Sequence, residues 1–379
     1  MPEAVIVNAL RTPIGTAFKG SLRETSAYDL ANHVVAAAAE DLDKSLIDDV
    51  ILGEGLHGGG VIARHAAITA GLEHVPGLAN NRHCAAGQAA VQSAAASIKA
   101  GMDRLVIAGG VNSASTMPRS RVRVGEEMVD WMAPTHPDRP DAPNRDMSIT
   151  VGWNAAQKAN VTREEMDAWA LRSHRNAIRS IDEGRFKEEI VAIETPLGVF
   201  DTDEHPRRDT SMERLAGLKV LHPEIEGFSI TAGNSSGAND AAAVLTVASD
   251  ELGLPALATI RSWASAGVDP AITGLAPVDA IRKALNRGGY SLGDVDLFEI
   301  NEAFAAMVVA TNRILGIDPE LVNVNGSGCS LGHPVAATGA RQLATLVYEL
   351  RRRGGGIGVS AMCAGGGMGS ATVIEVHAP

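Results

Sequence analysis

Two stretches of this chain, about 250 residues apart, run through the same order of signals, and that repeat constrains the fold more than any other feature. From Ala31, "ANHVVAAAAEDLDKSLIDDVILGEG" passes from helix through a polar turn to a strand, and from Val278 "VDAIRKALNRGGYSLGDVDLFEINEA" does the same. Then "GLANNRHCAAGQAAVQSAAASIKAGMDRLVIAGG" reads strand, Asn turn, small-residue helix, strand and Gly-Gly. "LVNVNGSGCSLGHPVAATGARQLATLVYELRRRGGGIGVSAMCAGGG" repeats that order. A duplicated unit of this kind predicts two similar α/β halves in a pseudo-twofold arrangement. It also predicts a meeting point. Cys84 heads one small-residue helix and His333 its counterpart, while Cys363 ends a strand before a glycine run and converges on the same spot.

The helix after Cys84 carries only Ala, Gly, Gln, Val and Ser from Ala85 to Ala96, with no broad apolar stripe. Such a helix is buried on every side, where neighbours approach closely. Its N-terminus then lies inside the protein, with unpaired N–H groups and the positive end of the dipole at Cys84, which lowers a thiol's pKa. The plain alternative is that a free cysteine is a small buried hydrophobe. His333, between Gly332 and Pro334, is either a hydrogen-bonded structural residue or a base for that thiol. Cys363 stands before three glycines, whose exposed N–H groups suit an oxyanion; a tight turn around a buried Cys reads equally well. Asn301, in "EINEAFAA", is positioned to hold a water or polarise a carbonyl, or simply to cap a helix.

The chain has 379 residues, enough for two or three lobes, and its 45% hydrophobic content supplies a sizeable core. A formal charge of −12 argues against non-specific nucleic-acid binding and against an anionic membrane surface. Three scattered cysteines make no disulfide framework, which suits a reducing compartment. No uncharged apolar run reaches the roughly 18 to 20 residues of a membrane span, and no signal peptide is evident, so a cytoplasmic protein is expected. From about Ser115 to Asn239 the texture changes to a Pro-, Arg- and Asp-rich excursion. A helix starts within it at Thr162 and Glu165, a capping-box pair. The division expected is therefore 1–114, an inserted segment 115–240, and 241–379. "GEGLHG", from Gly53, matches a dinucleotide-loop pattern, but the next helix starts late and no ribose-binding acid follows. It is not read as a cofactor site. Arg351 to Arg353 end a helix, where cations offset the dipole, and Cys329 reads as structural.

Together, "NRHCAAG" around Cys84, "NEAFAA" from Asn301, "GHP" around His333 and "CAGGGMG" from Cys363 resemble the thiolase family. "TAGNSSGANDAAA" and "DEHPRRDTSMERLAGLK" are similar to its loop-domain signatures, so the resemblance spans essentially the whole chain. It implies a duplicated five-layer α-β-α-β-α sandwich with an inserted loop domain. It implies Cys84 as the nucleophile that takes the acyl group, His333 as the acceptor of its proton, and Cys363 as the acid/base. By the same resemblance, His333 and an Asn301-held water form one oxyanion hole, and the N–H groups of Cys84 and Gly365 the other. Ser236, Lys219 and Met147 would contact substrate or coenzyme A, with Arg207 and Arg208 adding to a basic patch for its phosphates. Coenzyme A and acyl-CoA enter as substrates, with no bound cofactor or metal, and the assembly implied is a homodimer or homotetramer. The alternative is a non-catalytic acyl-CoA or lipid binder on the same fold. The chain departs from the family pattern at His83, Asp146, Trp153 and the Cys329-Ser330 pair, and between 116 and 146.

Overall fold

The computed structural model describes residues 2–57 and 60–379, so the last residue of "GEGLHG" lies outside the described residues. In chain order the strands are β1 (Ala4–Arg11), β2 (Gly15–Thr16), β3 (Asp49–Gly53), β4 (Gly77–Asn80), β5 (Leu105–Ser113), β6 (Ser120–Val124), β7 (Glu127–Trp131), β8 (Ile193–Thr195), β9 (Gly198–Phe200), β10 (Asn239–Ser249), β11 (Ala258–Gly267), β12 (Leu297–Ile300), β13 (Gly356–Ala364) and β14 (Met368–Val376). The α-helices are α1 (Ala27–Ala39), α2 (Ile62–Thr69), α3 (Ala86–Lys99), α4 (Asn154–Ala159), α5 (Arg163–Asp182), α6 (Met212–Ala216), α7 (Ala276–Gly288), α8 (Ala305–Leu315) and α9 (Thr338–Arg352).

The main sheet runs in the order β12-β13-β14-β11-β1-β10-β5-β3-β4, with β2 added against β10. It is two half-sheets, joined by the pairs Val5–Thr259 and Ile6–Ala258 between β1 and β11. Each half repeats the other. β3 lies parallel to β5, and β5–β10 and β10–β1 are antiparallel. β12 lies parallel to β13, and β13–β14 and β14–β11 are antiparallel. Even β4, parallel to β3, has a vestigial twin in the parallel bridge between Phe298 and Val322. The duplication read from the sequence is therefore present in the strand pairing. β10 takes in the first half the place that β14 takes in the second.

Apolar periodicity explains the stacking. Along β5, Leu105, Ile107 and Val111 join the cluster built on Leu30, Val34 and Val35 of α1 and Ile62 and Ala66 of α2. Val106 and Ala108, on the opposite face, join Val91, Ala94 and Ile98 of α3 and Leu343, Leu346 and Val347 of α9. That alternation suits a sheet covered on both faces. The central cluster also takes in Ile260 of β11 and Ile374 of β14, so α3 and α9 lie between the half-sheets. Outside the second half-sheet, Ile281 and Leu285 of α7 and Val308 of α8 pack on Phe298, Val359 and Val373. The result is the five-layer α-β-α-β-α sandwich.

The central layer is tight because its residues are small. A Cβ on Gly87 would stand 2.5 Å from the carbonyl oxygen of Ala336, and one on Gly339 would stand 2.6 Å from the backbone nitrogen of Gln88. One on Gly53 would meet the backbone of Ala86 and Gly87 at 2.6 Å, so this glycine of "GEGLHG" seats α3 on β3. The glutamines of α3 bond across to the second half-sheet. Gln88 Nε2 donates to Ser360 Oγ at 2.9 Å, and Gln92 Nε2 to Ser370 Oγ at 2.9 Å and Thr372 Oγ1 at 3.0 Å.

Between β5 and β10 the excursion builds the exposed β6–β7 hairpin, then α4, α5, the β8–β9 hairpin and α6. α5 begins as expected, with Thr162 and Glu165 in a reciprocal capping box. Two buried polar knots, one of them an ion-pair cluster, fasten the excursion to the sandwich. Arg11 of β1 holds Glu189 at 2.7 Å and Asp203 through two bonds of 2.8 Å. Glu302, just after β12, accepts from Trp169 Nε1 at 2.9 Å and from Ser173 Oγ at 2.6 Å, both on α5.

Replacing Gly339 by Ala tests the crossing. Helix propensity alone would stabilise this variant by about 1 kcal/mol, whereas a Cβ forced against main chain costs about 1–3 kcal/mol or more. A lowered thermal midpoint is expected; a variant as stable as the parent would show that the helices do not touch there.

Candidate active site

Cys84 is delivered by a strained turn. β4 ends at Asn80, and His83 is held at φ +46°, a left-handed conformation uncommon for a side chain of that size. The turn is locked by its own hydrogen bonds: His83 N–H donates to Asn81 Oδ1 at 2.9 Å, and Ala85 N–H to Arg82 O at 3.0 Å. Cys84, half-buried against Met362, Ala364 and Met368, stands just ahead of the first turn of α3. The helix end does not lower its pKa as expected from the sequence. Burial pushes the thiol up to about 11, with a backbone bond from Gly365 pulling the other way. Removal from water outweighs the dipole here.

His333 stands at the corresponding place before α9. Gly332 precedes it at φ +108°, where a Cβ would lie 2.4 Å from Asn239. His333 N–H donates to Asn239 Oδ1 at 3.0 Å. Its tautomer follows from a hydrogen-bond chain. Thr338 Oγ1 donates to Pro334 O at 3.0 Å, so its proton is committed. The same oxygen lies 2.7 Å from His333 Nδ1 and therefore accepts from Nδ1–H, leaving the lone pair on Nε2. Burial, then the charge of Arg341, lowers the imidazole to about 3, so at neutral pH it is uncharged, with the Nε2 lone pair unprotonated.

Asn301 follows β12 and is fully buried, its N–H bonded to Ala361 O at 2.9 Å. Its Nδ2 lies 3.4 Å from each ring nitrogen of His333. Its Oδ1 has no hydrogen-bond partner among the described residues. Cys363 lies near the end of β13, opposite Gly369 of β14, and its thiol points to Met307 Sδ at 3.6 Å. Burial raises its pKa well above the ordinary thiol value, and a neighbouring Cys84 thiolate would raise it further.

The hairpin that follows is possible only with glycine. Gly366 and Gly367 have φ of +84° and +76°, and a Cβ on Gly366 would stand 2.6 Å from Thr135 O. Gly365 is roofed by Thr135, and Met147 Sδ would be 3.8 Å from a Cβ there. Met147 also packs on Cys363 with Val151, Ala303, Met307 and Phe304.

The fold thus joins Cys84, Cys363 and Gly365 in one cluster and Asn301 with His333 in another, linked by the adjacent residues Ala361 to Ala364. Met147 and Ser236 lie against it, since Ser236 N–H donates to Ala303 O at 2.9 Å. Lys219 is exposed on the excursion, and Arg208 is engaged by Asp182 at 2.5 and 2.9 Å. Cys329 is buried with an acid beside it: its N–H donates to Glu302 Oε2 at 3.0 Å. Asp146 pairs with His222 at 2.8 Å, and Trp153 stacks on Phe228 with centroids 5.1 Å apart. Sequence reasoning missed Thr338, Met307 and Thr135. Thr338, the hydroxyl residue five positions after His333, was the one with a readable signal. Among the described residues no group of three or more His, Cys, Asp or Glu is placed to hold a metal ion, and no helix is long and apolar enough to cross a membrane.

Comparison with known proteins agrees with this geometry. The model of the thiolase N-terminal domain matches residues 4–251, and that of the thiolase C-terminal domain matches residues 254–376. An acetyl-CoA acetyltransferase of Pseudomonas aeruginosa is 44% identical, with 99% of each chain covered. A 3-ketoacyl-CoA thiolase of Bacillus subtilis is 39% identical over 99% of this chain and 100% of its own. Among solved structures, the Bacillus anthracis acetyl-CoA acetyltransferase superposes with a TM-score of 0.92 at 41% identity, covering 99% of both chains. Human mitochondrial 3-ketoacyl-CoA thiolase gives a TM-score of 0.92 at 34% identity, covering 100% of this chain and 99% of that one. These relatives are enzymes, which favours catalysis over the non-catalytic binder considered above. With both family models matched in order along nearly the whole chain, and the duplicated sandwich they describe present in the fold, this chain belongs to the thiolase family.

Proposed function

We propose that the chain cleaves 3-ketoacyl-CoA with coenzyme A to acetyl-CoA and a shortened acyl-CoA, or runs the reverse Claisen condensation, through an acyl group carried on Cys84. The observation that carries this reading is the convergence of two sulfurs on one glycine turn. Gly365 bonds back to Cys84, and Cys84 packs against Met362 and Ala364, the two neighbours of Cys363 in β13.

In the cleavage direction Cys84 Sγ attacks the 3-keto carbon while its proton passes to His333 Nε2. The oxyanion is met by fixed donors in a dry site. The C2–C3 bond breaks, and the electron pair left on acetyl-CoA takes a proton from Cys363. Coenzyme A then gives its thiol proton to Cys363 and attacks the acyl-Cys84 carbonyl. Cys84 departs with the proton held on His333, and the site returns to its starting state. Condensation runs these steps backwards, with the Cys363 thiolate removing a proton from acetyl-CoA. The buried acceptor Oδ1 of Asn301 is suited to orient a water beside His333.

The excursion 115–240 is proposed as the coenzyme A platform. Ser236 and Met147 would meet the pantetheine and acyl parts, and Lys219 the nucleotide end. A role in fatty-acid metabolism, a cytoplasmic location and a homodimer or homotetramer complete the reading.

Thiolysis of a panel from acetoacetyl-CoA upward tests it. Wild type is expected to turn over, while Cys84→Ala and Cys363→Ala each lose about 10³-fold or more in kcat. Activity retained in Cys363→Ala would sink the acid/base assignment. Thr338→Val, which keeps the shape but removes the acceptor for Nδ1–H, is expected to lose about 10–100-fold in kcat with little change in KM. Equal activity would mean that Thr338 does not set the tautomer. Because Cys84 is held as a neutral thiol, its alkylation by iodoacetamide should climb about tenfold per unit between pH 6 and 9 without levelling. A plateau below pH 7 would instead indicate a resting thiolate.

A further inference from the structure

The proposed chemistry uses four side chains, and a fifth meets one of them directly. Met307 lies in the first turn of α8, six residues after Asn301, and is fully buried. Its backbone is fixed from both sides: its N–H donates to Phe304 O at 3.2 Å, and its carbonyl accepts from Thr311 Oγ1 at 2.7 Å. Its thioether is 3.6 Å from Cys363 Sγ, which donates toward it. Val151, Ala303, Met147 and Phe304 complete an apolar shell around the two sulfurs.

We propose that Met307 is a positioning residue for Cys363, accepting the thiol hydrogen on Sδ and so holding the acid/base in its protonated form and in one rotamer until substrate arrives. The inference rests on the acid/base reading of Cys363. Its physical basis is an asymmetry of chemistry. A thioether sulfur accepts a hydrogen bond and cannot donate one, so Met307 favours the thiol and offers nothing to the thiolate. A thiol carries one hydrogen; while that hydrogen points at Sδ, the sulfur's lone pairs face away from Met307. Proton transfer to the acetyl-CoA carbanion then requires the S–H bond to swing out of this contact. Return of a proton from coenzyme A restores it. The burial that raises Cys363 works in the same direction.

Glutamine matches the length of methionine and carries N–H donors, whereas leucine keeps the apolar bulk and offers neither donor nor acceptor. Iodoacetamide labelling of Cys363 is read by peptide mass spectrometry as a function of pH, in a Cys84→Ala background so that one reactive-site thiol remains. Met307→Gln should move the labelling profile to lower pH by about one unit, which is about tenfold faster labelling at pH 7. Met307→Leu should move it in the same direction by less, about threefold. In otherwise unmodified enzyme, the pH profile of kcat for thiolysis should shift the same way in Met307→Gln. Thermal unfolding of each variant checks the fold. If the glutamine variant does not fold, the leucine variant alone decides: labelling unchanged there overturns the proposal. A labelling profile unmoved in folded Met307→Gln overturns it as well, since a merely structural residue would leave the ionisation of Cys363 where it was. Failure of the underlying reading would look different, as Cys363→Ala would still turn over while the Met307 variants still shifted the labelling.

Discussion

Main-chain contact between α3 and α9 is the constraint on which the rest depends. A Cβ on Gly339 of α9 would fall 2.6 Å from the backbone nitrogen of Gln88 of α3, and one on Gly87 of α3 would fall 2.5 Å from Ala336 O just ahead of α9, so neither position tolerates a side chain. Small residues on both helices let the two halves of the duplication close without a gap. Because Cys84 and His333 each precede one of these helices, closing the crossing fixes the two ends that carry them. The glutamines of α3 extend the same logic, since an all-alanine face would leave Ser360, Ser370 and Thr372 of the second half-sheet unmet.

The electrostatics of the site follow from burial more than from charge. Both active thiols are raised and the imidazole is lowered, each mainly because water has been excluded. The resting site is thus neutral: two thiols and an uncharged imidazole whose lone pair is directed by Thr338. In the proposed mechanism charge appears only when substrate does, and is met by fixed donors. This arrangement differs from a thiolate–imidazolium pair, and in the proposed mechanism Cys84, His333 and Cys363 carry the protons of the reaction.

The buried polar knots serve a different purpose. Arg11 with Glu189 and Asp203, and Glu302 with Trp169, Ser173, Asn323 and the N–H of Cys329, have nearly all their hydrogen bonding satisfied inside the protein. A buried ion pair such as Arg11 with Glu189 and Asp203 adds little net stability against an apolar replacement, but removing one partner costs about 3–5 kcal/mol. Their effect is register. They fix where the excursion sits, and hence where Thr135 and Met147 lie over Gly365.

Much of this was legible in the chain. The repeated order of strand, turn and small-residue helix carried the duplication, the burial of α3 and the places of Cys84 and His333 just ahead of α3 and α9, because period and residue size are local properties. Thr162 and Glu165 marked the start of α5 for the same reason: a capping box is complete within four residues. What the linear order could not carry was anything decided by removal from water. The dipole at the head of α3 is a local feature and predicted a lowered thiol, whereas the burial that reversed it comes from Met362, Ala364 and Met368, more than 270 residues away. The acid beside Cys329 and the thioether beside Cys363 arrive likewise from other elements. Sequence alone determined which residues are proposed to carry the chemistry and how the two halves relate. Tertiary structure alone decided their protonation, since solvation depends on everything packed around a group and not on its neighbours in the chain.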